Sequence, residues 1–123
     1  MQVNSHKDLV VWQKGIKLCK IVYEVTEKFP RSEIYGITSQ MRRSAVSIPS
    51  NIAEGRSRNT TKDFLHFLSI TLGSASELET QLEIAKELCF LEEEKYLKIN
   101  ALLAEVSKMT IGLMKKLEMK ASH

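Results

Sequence analysis

An all-α fold, arranged as an antiparallel up-down four-helix bundle, is the class that this sequence of 123 residues predicts. Three observations carry that expectation. Apolar residues recur at steps of three and four in four separate stretches, the period of a helix with one buried face. Two prolines and five glycines are too few to cut the chain into short elements. The joins between stretches are short, which makes sequential helices antiparallel neighbours. An apolar fraction of 43% and a charged fraction of 27% are globular values, and the length suits one domain, residues 1–123, around a single core.

The first helix is expected from about Asp8 to Lys28. Leu9, Trp12, Ile16, Cys19, Tyr23 and Thr26 form its inward stripe, and Phe29-Pro30 ends it because proline disfavours helix at the residue before it. The second runs from about Ser32 to Glu54 with Ile37, Met41, Ser44, Ile48 and Ile52 inward. Gly55 reads as a left-handed stop. Pro49 removes one backbone hydrogen bond and crowds Ala45, so a kink or break is expected there, with Ser47, Ser50 and Asn51 as candidates to satisfy the freed groups.

Thr60 with Asp63 three residues later reads as a helix start. The third helix is expected over residues 61–88, and Phe64, Leu68, Thr71, Ala75, Leu78, Leu82, Ala85 and Cys89 give the strongest periodicity in the chain. After a turn at Phe90-Leu91, the fourth helix spans about 92–119, with Ile99, Leu102, Val106, Met109, Leu113 and Leu117 inward.

Some helices carry more apolar surface than one core needs. The start of the third helix, with Phe64, Phe67 and Ile70, is apolar almost all round, and the first helix carries Val10, Val11, Ile21, Val22 and Val25 off its main stripe. A second apolar face in a short chain points to another subunit, so a homo-oligomer with Phe64, Phe67 and Ile70 at its interface is expected.

The net charge of +3 is only mildly basic, but the charge is blocked. Arg31 to Asp63 is arginine-rich, Phe64 to Glu94 is acidic, and Lys95 to the end is lysine-rich. Arg42, Arg43, Arg56, Arg58 and Lys62 form the candidate phosphate-contacting set, because guanidinium forks match phosphate oxygens and a helix start near Lys62 adds backbone donors. The alternative is that these arginines pair with Glu54 or with acids of the third helix. No aromatic residues interleave with them, so contact would be with a backbone rather than with bases.

Catalytic chemistry has little support. No nucleophile elbow, metalloprotease helix motif, P-loop or dinucleotide fingerprint is present. Ser44, Ser47 and Ser50 share an edge without a base beside them and read as a small-residue seam. Asp63 and His66 share a helix face, but a di-iron bundle needs two such pairs, and His6 and His123 lie towards the chain ends. No catalytic residue, cofactor or metal is expected. Cys19 and Cys89 fall in apolar helical patterns and read as buried thiols. With no signal-peptide pattern and no long apolar run, the expectation is a cytoplasmic protein that does not span a membrane.

The run Gln40-Met41-Arg42-Arg43-Ser44-Ala45-Val46-Ser47-Ile48-Pro49-Ser50-Asn51-Ile52-Ala53-Glu54-Gly55 closely resembles the signature of the four-helix-bundle proteins encoded in intervening sequences of bacterial 23S ribosomal RNA. Asp8-Leu9-Val10-Val11-Trp12-Gln13-Lys14 looks like the start of that family, and Phe64 to Glu79, with Leu68, Gly73, Ser74, Glu77 and Glu79, looks like its third helix. The resemblance covers about Asp8 to Leu117. It implies an antiparallel bundle that assembles as a ring-like homopentamer. Relatives beside diversity-generating retroelements act as accessory factors that bind a reverse transcriptase and nucleic acid through basic surfaces. Carried over, that points to Arg42, Arg43, Arg56 and Arg58. The functional expectation is therefore a non-enzymatic oligomer that binds nucleic acid, RNA before DNA. The alternative is a protein-interaction scaffold or accessory subunit with no direct nucleic-acid contact.

Overall fold

The structure, a computed structural model, describes residues 5–121. It contains four helices: α1 (Val10–Thr26), α2 (Ile37–Arg56), α3 (Thr61–Glu87) and α4 (Glu93–Ala121), with short 3-10 turns at His6–Asp8 and Arg31–Glu33. The second helix starts five residues later than its pattern suggests. Arg31–Glu33 closes as a 3-10 turn, and Gly36 stands outside helical geometry at φ −109° and ψ −122°. The Glu33 carboxylate then accepts the Ile37 N–H at 3.3 Å, satisfying a donor that the new helix start leaves open.

Contacts along the helices run in opposite directions for each neighbouring pair. On α2 and α3, Gly55 lies against Phe64 and Phe67, while Ser47 meets Ser74 at 2.6 Å. On α1 and α2, Gly15 lies against Pro49 and Cys19 reaches Ala45. Lys14 pairs with Glu105 across α1 and α4 at 3.1 Å, and the Tyr96 hydroxyl at the start of α4 donates to Glu83 near the end of α3 at 2.8 Å. That hydrogen bond holds the Glu83 carboxyl below its ordinary pKa. The diagonal pairs α1/α3 and α2/α4 make no backbone contact. The helices therefore form an up-down bundle, each packed on two neighbours.

The core is built from Leu18 and Val22 of α1, Met41, Ile48 and Ile52 of α2, Leu68, Leu78 and Leu82 of α3, and Ile99 and Val106 of α4, all at most 1% exposed. Each large aliphatic side chain so buried contributes about 1.5–3 kcal/mol relative to leaving it in water. The inward face of α2 is the one its sequence pattern indicates. That of α1 is not. Val11, Gly15, Leu18, Val22 and Thr26 are buried, whereas Ile16 and Tyr23 are each 44% exposed. Val11 and Val22, which the sequence pattern assigns to a second, outer face, belong to the core. Two overlapping apolar stripes compete on this helix, and the one that contains Gly15, which packs on Ile48 and Pro49, is the one buried. On α4 the buried line is Ile99, Leu103, Val106 and Thr110, with Leu102, Met109, Leu113 and Leu117 packed at its edge.

Local expectations meet the structure at three points. Of the kink or break expected at Pro49, no break occurs, and α2 continues through this buried residue. Gly55 is not a left-handed stop but a buried residue inside α2. A Cβ there would stand 2.8 Å from the Phe67 Cβ and 2.9 Å from the Phe64 ring, so glycine allows α3 to fold back tightly on α2. Cys89 is exposed rather than buried and adopts φ 63°. With Phe90 N–H donating to the Ala85 carbonyl at 2.9 Å and Cys89 N–H to Lys86 at 3.0 Å, it forms a Schellman end to α3.

Candidate nucleic-acid interface

The up-down topology sorts the charge blocks by position. Because α2 and α4 run the same way, their C-terminal ends lie at one end of the bundle, together with the start of α3. Arg56 stands in the last turn of α2, Lys62 in the first turn of α3, and Lys115, Lys116 and Lys120 in the last turns of α4. The 3-10 turn that carries Lys7 packs on α2 as well as on α1. At the opposite end lie Glu83 and Glu87 of α3, Glu92 to Glu94 at the start of α4, and Glu24 and Glu27 at the end of α1. The first end is thus net basic, and at the second the carboxylates outnumber Lys28, Lys86, Lys95 and Lys98, which lie among them. Helix dipoles do not decide this division, because the starts of α1 and α3 stand at the basic end beside the ends of α2 and α4, although Glu93 and Glu94 individually suit the N-terminus of α4.

The cations of the basic end are largely unspent. Among the described residues, no ion pair engages Arg56, Lys62, Lys115, Lys116 or Lys120. Lys62 is exposed and Arg56 half-buried. The Thr60 hydroxyl accepts the Asp63 N–H at 3.1 Å, so the expected cap forms and fixes where α3 begins.

The five cations singled out in the sequence do not form one patch. Arg42 and Arg43 lie thirteen and more residues before Arg56 on α2, roughly 20 Å along the helix axis at 1.5 Å per residue. Arg42 is tied to α1. Its Nε donates to Thr26 Oγ1 at 2.8 Å, its Nη2 donates to Glu27 at 3.2 Å and to the Tyr23 carbonyl at 3.4 Å, and its guanidinium lies 4.5 Å from the Tyr23 ring centre. Arg58 pairs with Glu54 at 2.7 Å and lies over Phe67 at 4.9 Å. Arg43 is exposed and bonds to no described residue, and it borders a polar groove between α2 and α3. Of the five, Arg56, Arg58 and Lys62 share the basic end. The α4 lysines there went unselected because the sequence places them far from the arginine block, and only the bundle topology brings the two together.

The side chains expected at an oligomer interface have internal contacts. Phe64 packs on the core and, with Phe67, against Gly55, and Phe67 carries Arg58 on its face and His66 at its edge. Ile70 is 38% exposed. The described residues contain no group of three His, Cys, Asp or Glu able to hold a metal, and His123 lies outside them. Among the described residues, no helix is long and apolar enough to cross a membrane.

Comparison with known proteins bears on this arrangement. The family profile of the 23S rRNA-intervening sequence protein matches residues 7–112. A search of curated proteins finds no match. Among solved structures, a protein of unknown function from the S23 ribosomal protein family of Bacteroides thetaiotaomicron superposes with a TM-score of 0.77 at 29% identity, covering 86% of this chain and 99% of that one. The profile match takes in α1 to α3 and most of α4, including the whole of the α2 run and the loop that bears Arg56 and Arg58. The chain belongs to the family of 23S rRNA-intervening sequence proteins.

Proposed function

We propose that this protein is a non-enzymatic oligomer that binds RNA through phosphate contacts at the basic end of its bundle. The observation that carries the reading is the convergence there of Arg56, Lys62, Lys115 and Lys116, none of them spent on an internal ion pair. Unpaired cations on a rigid frame neutralise phosphates and release counterions, which yields affinity without sequence reading. Repetition of the patch in a homo-oligomer, a pentameric ring by family resemblance, strengthens a modest single contact by avidity. The family's association with ribosomal RNA agrees with this reading, which places the protein in the cytoplasm. Arg42 and Arg58, engaged with Glu27 and Glu54, contribute less than their place in the signature suggests.

A second reading is a scaffold that meets a protein partner, such as a reverse transcriptase, without touching nucleic acid. It is favoured by the internal pairing of Arg42 and Arg58 and by the exposed apolar side chains Leu88, Leu97 and Ile84 towards the acidic end.

The test is a titration of a structured RNA and a duplex DNA across a salt series, with the quadruple Ala variant of Arg56, Lys62, Lys115 and Lys116 beside the unaltered protein. RNA binding that weakens with salt, with a log–log slope that falls by about one per cation removed, supports the first reading. A slope that the variant leaves unchanged, or no binding at low salt with the oligomer intact, sinks it and favours the scaffold.

A further inference from the structure

The residues of the α2 signature that face α3 form a ladder with it. Ser47 and Ser74 close one rung through a 2.6 Å hydrogen bond, and Asn51 braces it by donating to the Ser47 carbonyl at 2.8 Å and to its hydroxyl at 2.9 Å. The next two turns towards the start of α2 are open. Arg43 and Glu77 face a common groove and form no ion pair, and Gln40 and Gln81 follow them. The groove encloses about 580 Å³, within the range of small-ligand sites, and its lining is mostly polar.

Two features of this groove are unexplained by the fold. Gln81 Oε1 is sealed from solvent and accepts no hydrogen bond, the one such side-chain atom among the described residues. A buried acceptor without a donor is costly, and natural structures rarely keep one unless something supplies the donor. Tyr35 stands at the groove's end, 95% exposed, the most exposed large apolar residue among those described. The site therefore offers a free guanidinium, a carboxylate and an amide oxygen that both lack donors, and an unused aromatic face.

A ligand that answers all four has an anionic group for Arg43, several N–H donors on one edge, and a flat ring. We propose that the groove between α2 and α3 binds a guanine nucleotide, free or as an unpaired residue of RNA. The phosphate meets Arg43, the N1–H and N2–H donors of the base meet the Glu77 carboxylate, a turn of the Gln81 amide brings its sealed Oε1 into the groove to accept from N2–H as well, and the ring lies on Tyr35. Unpaired bases are read in this way elsewhere, by stacking on aromatic side chains and by hydrogen bonds to the Watson–Crick edge. Adenine presents an acceptor where guanine presents N1–H, so the carboxylate discriminates against it. The site is separate from the basic end, and neither depends on the other.

The experiment is calorimetric titration of the full chain with GMP, AMP and guanosine, and with a short guanine-containing single-stranded RNA. GMP is expected to bind more tightly than AMP. Arg43→Ala weakens GMP by about tenfold or more while guanosine is little changed, the loss of one charge-assisted contact. Glu77→Gln removes the preference for GMP over AMP. Gln81→Leu, which deletes the unsatisfied acceptor, keeps the fold at least as stable and weakens GMP. The Lys115 and Lys116 Ala variants leave GMP binding unchanged. If the RNA binds more tightly than GMP and still responds to Glu77→Gln, the natural ligand is an unpaired RNA residue; equal affinities assign it to the free nucleotide. No GMP binding at millimolar concentration, or GMP binding indifferent to both Arg43→Ala and Glu77→Gln, overturns the proposal. RNA binding that survives in that case belongs to the basic end.

Discussion

The Cys19 thiol donates to the Ala45 carbonyl oxygen at 3.0 Å, and Ala45 is the residue whose helical partner would have been the N–H that Pro49 lacks. A thiol on α1 thus supplies the donor that proline removes from α2, and the helix continues through it. Replacement Cys19→Ala leaves that carbonyl without a partner at a helix interface, at a cost of about 1–3 kcal/mol. Cys19→Ser keeps a donor and retains most of the stability. Urea unfolding of the three proteins reads the difference, and equal midpoints would show the thiol contact to be idle.

The same contact predicts a pH dependence. Burial pushes the Cys19 thiol up to about 11 from an ordinary 9.0. The unfolded chain therefore releases this proton at lower pH than the folded one. The thiol's contribution is whole below pH 9 and declines as pH rises from 9 through 11. Other groups titrate in that window, so the measurement is the difference in unfolding free energy between the unaltered protein and Cys19→Ser. That difference is flat below pH 9 and moves against the unaltered protein above it.

Cys89 holds a left-handed conformation that costs a side-chain-bearing residue about 1–2 kcal/mol and glycine almost nothing. Its side chain is exposed, so little packing is lost on removal. Cys89→Gly is expected to raise stability by about 1 kcal/mol, visible as a higher thermal midpoint. A fall would mean that the thiol makes a contact worth more than the backbone strain.

Gly55→Ala places a methyl against the Phe67 Cβ and the Phe64 ring at less than 3 Å. One contact is to an atom next to the α3 backbone and cannot swing away, so α3 must shift. Overpacking of this kind costs about 1–3 kcal/mol. Thermal unfolding checks it, and an unchanged midpoint would show that the α2–α3 turn has room to spare.

The number of helices, the face of α2 and the start of α3 were legible because each rests on local signals: a three-and-four period, a Thr60 cap, a single apolar stripe. The face of α1 was not, since Val11, Leu18 and Val22 compete with Trp12, Ile16 and Tyr23, and periodicity alone cannot choose between two stripes. Gly55 was misread because a glycine that admits a neighbouring helix looks the same in sequence as one that ends its own. The role of Cys19 was hidden by distance, because its partner lies 26 residues away on another helix. For the site, the arginine block was visible, but its division was not. Arg42 turns to Thr26 and Glu27 of the preceding helix and its connection, and only the topology shows that Lys115 and Lys116 stand at the same end of the bundle as Lys62.

A bundle with cations in excess at one end and carboxylates in excess at the other carries a permanent electric dipole along its long axis. Such rods attract one another end to end when the surrounding ions are too sparse to screen them, and the screening length shortens from about 30 Å at 0.01 M salt to about 10 Å at 0.1 M. The protein is therefore expected to salt in: light scattering should show end-on association in dilute buffer that dissolves as salt is added. Purification at low ionic strength would then select for aggregates that the fold itself orients.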